Sequence, residues 1–164
     1  MAVIREIPFR RLADFDDPDD YRLESRIAFV VDERPGTGPF VDGMAAIVEE
    51  IAPGERIPLH THTIDEVVFV VEGEGELTLG DERHRVAPPA IVFIPAGTPH
   101  GTRAVGDELV RIHAVFPSRV IDLTYLERNP APGTEDEPPH PPVAVDVRAL
   151  VEGRLDEAIR PFVP

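Results

Sequence analysis

The chain has 164 residues and a formal net charge of −15 at pH 7, with 42% hydrophobic residues. It is therefore long enough for one cored domain, or one domain with arms, and its acidity argues against nucleic-acid and membrane-surface partners. All sixteen basic residues are Arg and there is no Cys. That excludes lysine Schiff bases, P-loop lysines, thiol nucleophiles, disulfides and thiolate metal sites, so a bound metal must rest on imidazole and carboxylate.

The start, Met1-Ala2-Val3-Ile4-Arg5-Glu6, lacks the basic head and apolar run of a signal peptide. Val67 to Val71, the longest strongly apolar stretch, is far short of the roughly 20 residues of a membrane span. The expectation is a soluble cytoplasmic protein. The acidic run from Asp14 to Asp20 reads as a solvated face, with an interaction tail as the other reading.

Short β-branched segments bounded by Gly and Pro follow: Arg26–Val31, Met44–Ile51, Val67–Val71, Glu76–Leu79, Ala90–Ile94 and Leu109–Phe116. This pattern predicts an all-β barrel or sandwich. Leu79-Gly80-Asp81-Glu82 reads as a tight hairpin, and Pro88-Pro89 as an edge entry or a corner. Six of the fourteen residues 129–142 are proline, which predicts an extended arm. Beyond it, Val147, Leu150, Val151, Leu155, Ala158 and Ile159 recur at helical spacing. They predict one short amphipathic helix, N-capped by Asp146, covering its own barrel or that of a second subunit. With no internal repeat, the chain divides into an arm and first strands (1–35), a barrel (36–118), and a proline-rich arm with the helix (119–164).

The chemistry concentrates between Gly54 and Gly73. His60 and His62 are two apart, so on a strand both imidazoles share a face. Thr63-Ile64-Asp65 can reverse the chain, which lets Glu66 open the antiparallel neighbour and approach the imidazoles across the pair. His100 follows a turn shaped by Pro95, Gly97 and Pro99. Three neutral imidazoles and one carboxylate make a mixed N/O site for one divalent transition metal. His-x-His-x₃-Glu framed by the two glycines is expected on the order of 10⁻⁴ times by chance in this composition.

These residues resemble the motifs of the cupin superfamily. The first, Gly-x₅-His-x-His-x₃₋₄-Glu-x₆-Gly, is matched by Gly54, His60, His62, Glu66 and Gly73. The second, Gly-x₅-Pro-x-Gly-x₂-His-x₃-Asn, is matched at Pro95, Gly97 and His100, while Pro89 and Ala104 replace its first Gly and its Asn. Those two are backbone or packing positions in the family, so the change concerns turn geometry rather than ligation. The resemblance covers residues 40–118 and is to small one-domain members. It implies a double-stranded β-helix, or jelly-roll barrel, with one metal (Fe, Mn, Ni, Zn, Co or Cu) held inside by His60, His62, Glu66 and His100. It also implies homodimers formed through edge strands or N-terminal arms.

Four protein ligands leave about two positions on a six-coordinate metal, and a dication with one carboxylate favours anionic small molecules. The resulting expectation is a metal-dependent small-molecule enzyme, dioxygenase-like first and lyase, isomerase or decarboxylase next. The alternative is a non-catalytic module that binds a small ligand or metal. His113 and Arg111 share a strand face. Turned inward they would serve as proton shuttle and anion clamp; turned outward they are surface groups. Arg103 reads as either a substrate-anion contact or half of a surface ion pair.

Overall fold

The computed structural model describes residues 3–15, 17–31 and 41–163. Its strands are β1 (Arg10–Arg11), β2 (Arg26–Val30), β3 (Ala45–Ile51), β4 (His60–Thr61), β5 (Glu66–Glu72), β6 (Gly75–Leu79) and β7 (Glu82–Val86). They continue as β8 (Ala90–Ile94), β9 (His100–Ala104), β10 (Val110–Phe116), β11 (Val120–Tyr125), β12 (Val143–Asp146) and β13 (Ile159–Pro161), with helices α1 (Val147–Val151) and α2 (Leu155–Ala158) before the last. A six-stranded sheet, β1-β2-β3-β10-β5-β8, faces a seven-stranded one, β13-β12-β11-β4-β9-β6-β7, and every strand pair is antiparallel. This is a jelly-roll barrel.

Alternation builds its wall. In β10 the even residues Val110, Ile112, Ala114 and Phe116 are buried and the odd ones only partly so. They meet Ile51, Val68, Val70 and Ile94 in one core, and each such side chain contributes about 1.5–3 kcal/mol on burial. Gly73, at φ 74°, sits so close to the Leu109 carbonyl that a Cβ there would lie 2.0 Å from its oxygen. The turn between β5 and β6 therefore admits no side chain at position 73. Gly80 and Asp81 join β6 to β7 as the expected hairpin. Pro88 and Pro89 carry the chain from one sheet edge, β7, to the edge of the other, β8, so they form a corner.

The outer parts of the chain depart from expectation. The seven-stranded sheet runs on past residue 118 through β11, β12 and β13. In place of one C-terminal helix there are two short ones, because Gly153 takes φ 76° between them. Asp146 does cap the first, accepting from the Arg148 and Ala149 amides. Ala149, Leu150 and Ala158 pack on Phe29 and Val145 of the same chain. The proline-rich stretch is turned back on the N-terminal segment, with Asn129 paired to Asp20 and the Arg128 guanidinium donating to the Thr134 and Glu137 carbonyls.

The acidic run is not a solvated face, although its Asp16 lies outside the described residues. Asp19 and Asp20 are buried. Arg128 pairs with Asp19, while Arg22 grips Asp20 through Nε and Nη2 at 2.8 and 2.5 Å. The cationic partner of Asp19, Arg128, lies more than a hundred residues downstream, which is why local charge density misleads here. The Glu55 carboxylate then fixes the end of this segment, accepting from the amides of Leu23 (2.8 Å), Glu24 (3.1 Å) and Ser25 (2.8 Å) and from the Ser25 hydroxyl (2.5 Å).

Burial alone would raise the Glu55 carboxyl, but the bonds from Ser25, Glu24 and Leu23 outweigh it and hold the group below 4.5. Its folded value is depressed, so its stabilisation is complete above 4.5 and is lost as pH falls through the folded value. Glu55→Gln is expected to destabilise the chain by about 1 kcal/mol at pH 7, a figure discounted for solvent exposure. Urea unfolding at pH 7 and pH 3.5 checks this: the variant's deficit should shrink at the lower pH.

Candidate metal centre

His60 lies in β4, His62 just after it, Glu66 opens β5 and His100 opens β9. His60 and His100 are direct partners across the β4–β9 pair. Glu66 does not come from a neighbour of β4, as the sequence suggested. Thr63–Asp65 carries the chain across the barrel, and Glu66 reaches the histidines from the opposite, six-stranded sheet, where its partner is Ile94. All four side chains are buried, and one ligand atom from each lies within 4.8 Å of the others.

The loops that flank the histidines orient their rings. Nδ1 of His60 donates to the Pro58 carbonyl at 2.7 Å, that of His100 to the Thr98 carbonyl at 2.9 Å, and that of His62 to the Asp122 carbonyl. Each proton is thereby fixed on Nδ1 and each Nε2 is left as a bare lone pair facing inward. Gly101 makes this possible for His60: a Cβ there would lie 2.8 Å from the Ile57 carbonyl oxygen, so β9 can approach the 57–58 backbone only without a side chain. The Asp122 carboxylate in turn accepts from the Thr63 amide and hydroxyl, both at 2.8 Å.

Burial, reinforced by the neighbouring His100 and His62, pushes the His60 imidazole well below its ordinary 6.5. Burial also lowers His62 against the pull of Glu66. Both shifts favour the neutral imidazole, the form that can hold a metal. Glu66 Oε2 and His100 Nε2 lie 2.9 Å apart, and both are buried without a hydrogen bond. With the His100 Nδ1 proton directed to the Thr98 carbonyl, Nε2 and Oε2 stay side by side and unsatisfied, an arrangement that a cation bound by both would relieve. The donor set of three imidazole nitrogens and one carboxylate suits a divalent transition metal.

Other predicted residues fall elsewhere. The even face of β10 is the inner one, since Phe116 packs against the His62 ring at 5.2 Å. Arg111 and His113 therefore point away from the four ligands, and Arg111 is held by Glu50 and Glu72. Arg103 is exposed on the outward side of β9 and forms no ion pair among the described residues. Sequence reasoning missed Asp122, Tyr125, Arg22 and Glu49. The Tyr125 ring lies 6.4 Å from that of His60, and its hydroxyl donates to Asp17. The one available signal was a lone Asp, at position 122, in an otherwise strand-like run.

Residues 47–116 match the family described as the cupin domain. The chain is 35% identical over 114 residues to the polyketide synthase CurC of Streptomyces cyaneus, covering 68% of this chain and 69% of that one. The chain belongs to the cupin superfamily. This cupin is also 32% identical over 120 residues to a 5-nitrosalicylic acid 1,2-dioxygenase from a Bradyrhizobium species, covering 70% of this chain and 57% of the other. The polyketide cyclase RemF of Streptomyces resistomycificus superposes with a TM-score of 0.50 at 28% identity, covering 65% of this chain and 68% of that one. The cupin spans 34% and 57% of the lengths of two of its longer curated relatives.

The geometry sets two expectations for the cupin's affinity for Co(II), measured by competition with a chelator. His100→Ala should weaken binding by more than 100-fold. Asp122→Ala, which touches no metal position but frees the backbone that holds His62, should weaken it by about 10-fold.

Proposed function

We propose that this cupin is a metal-dependent enzyme that oxygenates a small anionic molecule at the His60–His62–Glu66–His100 centre. The observation that carries this reading is the pair of lone-pair-bearing atoms, Glu66 Oε2 and His100 Nε2, facing each other at 2.9 Å with no hydrogen bond to either. The chain's own residues hold the centre. Three Nδ1–carbonyl bonds stop the rings from turning, Glu66 closes the set from the other sheet, and Phe116 keeps one side dry. A redox-active Fe or Mn there would supply oxygen chemistry, and about two of six positions stay open for substrate and oxygen. The similarity to a nitrosalicylic acid dioxygenase supports that order of preference.

Ni, Zn or Co in the same cage would instead favour lyase, isomerase or decarboxylase chemistry, and a binding module would hold ligand without turnover. Elemental analysis of protein purified without added metal, then anaerobic substrate screening followed by oxygen uptake, separates these. The expected result is close to one equivalent of Fe or Mn and substrate-dependent oxygen consumption that His60→Ala abolishes. Binding under air with no product would favour the module.

The cupin also pairs as a homodimer in this reading. Among the described residues, β8 ends the six-stranded sheet with one side unpaired and exposes Ile91 and Phe93 beside Phe69 and Val71 of β5. Such an edge, uncharged in a chain of net charge −15, accepts a second copy of itself. Sedimentation at micromolar concentration should show a dimer that Phe93→Glu converts to monomer with the barrel intact.

A further inference from the structure

Arg103 points out of the barrel, and its guanidinium has no ion pair or hydrogen bond among the described residues. Its neighbour makes that unusual. Arg56 and Arg103 are direct partners in an isolated antiparallel bridge. The flanking bonds run from the Ile57 amide to the Thr102 carbonyl (2.8 Å) and from the Ala104 amide to the Glu55 carbonyl (3.1 Å). Residues 56 and 103 are therefore a non-hydrogen-bonded pair, the kind whose side chains stand closest on a shared face. Two guanidinium groups so placed repel each other.

The nearby carboxylates compensate one of the two and not the other. Arg56 is held in place: its Nη1 lies 2.5 Å from Glu127 Oε2, and its Nε donates to Asn129 Oδ1 at 3.2 Å. Glu76, the register partner of Arg103 in β6, lies against Arg83 instead, at 3.7 Å. The Glu55 carboxylate is taken by the amides of residues 23–25. One cation of the pair is thus neutralised and fixed, and the other is left over.

Both residues line a cleft of about 250 Å³ that also takes in Tyr21, Gly54, Asn129 and Pro130, and none of the four metal ligands borders it. Arg22 and Glu55 complete its lining, so three cations meet one carboxylate there, in a chain of net charge −15. Such a recess attracts anions that the rest of the surface repels. We infer that this cleft is a binding site for a phosphate group, either free or as the monoester of a small alcohol. Arg103 donates to the phosphate oxygens, a task to which the planar fork of a guanidinium is suited. Arg56, steadied by Glu127 and Asn129, adds the second positive charge. A dianion is preferred to a single carboxylate because it answers both charges. The site is independent of the metal centre and stands whether or not the barrel holds a metal.

The test is calorimetric titration of the full chain with inorganic phosphate, phenyl phosphate and acetate at one ionic strength. The wild-type protein should take one equivalent of phosphate or phenyl phosphate, and acetate at least tenfold more weakly. Tighter binding of phenyl phosphate identifies a monoester site, and equal or weaker binding identifies a site for free phosphate. Arg103→Gln, a change at an exposed side chain, should weaken the preferred phosphate at least tenfold, whereas Arg83→Gln in β7 should change it less than twofold. Glu127→Gln removes the carboxylate that competes for Arg56 and should tighten binding at least threefold. His60→Ala should leave the affinity within twofold, which separates the cleft from phosphate bound at a metal. No saturable binding of either phosphate, acetate bound as tightly as phosphate, undiminished binding in Arg103→Gln, or loss of binding in His60→Ala overturns the inference. None of these outcomes touches the reading of the metal centre.

Discussion

The candidate site rests on one enforced close approach. A carboxylate oxygen from one sheet and an imidazole nitrogen from the other stand 2.9 Å apart, with no hydrogen bond to either. The His100 ring is anchored by the Thr98 carbonyl, and the Glu66 backbone is placed at the head of β5 by pairing with Ile94. The barrel enforces this proximity through its core. The inner faces of β5 and β10 carry Val68, Val70, Ile112 and Phe116, so the packing that stabilises the fold also presses the two sheets together at the site.

The clustering of these four residues was legible in the sequence because their spacing obeys strand geometry. His60 and His62 share a face through the period of two, and the proline and glycine of residues 95–99 announce the turn that delivers His100. The route by which Glu66 arrives was not legible. Nothing in Thr63-Ile64-Asp65 distinguishes a hairpin from a crossing between sheets, since that choice is made by long-range pairing of β5 with β8 and β10. Strand detection failed where polarity breaks the apolar signal. β9 reads His-Gly-Thr-Arg-Ala because its inner face carries a ligand, and β7 is charged because it is an exposed edge.

The N-terminal segment shows the same limit in another form. Asp19, Asp20 and Arg22 look like surface residues to any local reading, yet they are buried through partners contributed by β3 and by residues 128 and 129. Buried ion pairs of this kind add little net stability, because desolvation offsets most of the attraction. They set one guanidinium between two carboxylates, close enough for its charge to be felt at His60.

The clamp of Glu55 on residues 23–25 has a bearing on how the N-terminal segment is attached. The inward-facing side chains of residues 19–25 are Asp19, Asp20, Arg22 and Ser25, while Leu23 points to solvent. Peeling that stretch back would wet ions and hydroxyls and bare almost no oily surface, so water itself can take over the bonds being broken. Residues 19–25 are thus fastened to the barrel chiefly through ions and backbone amides rather than through oily side chains.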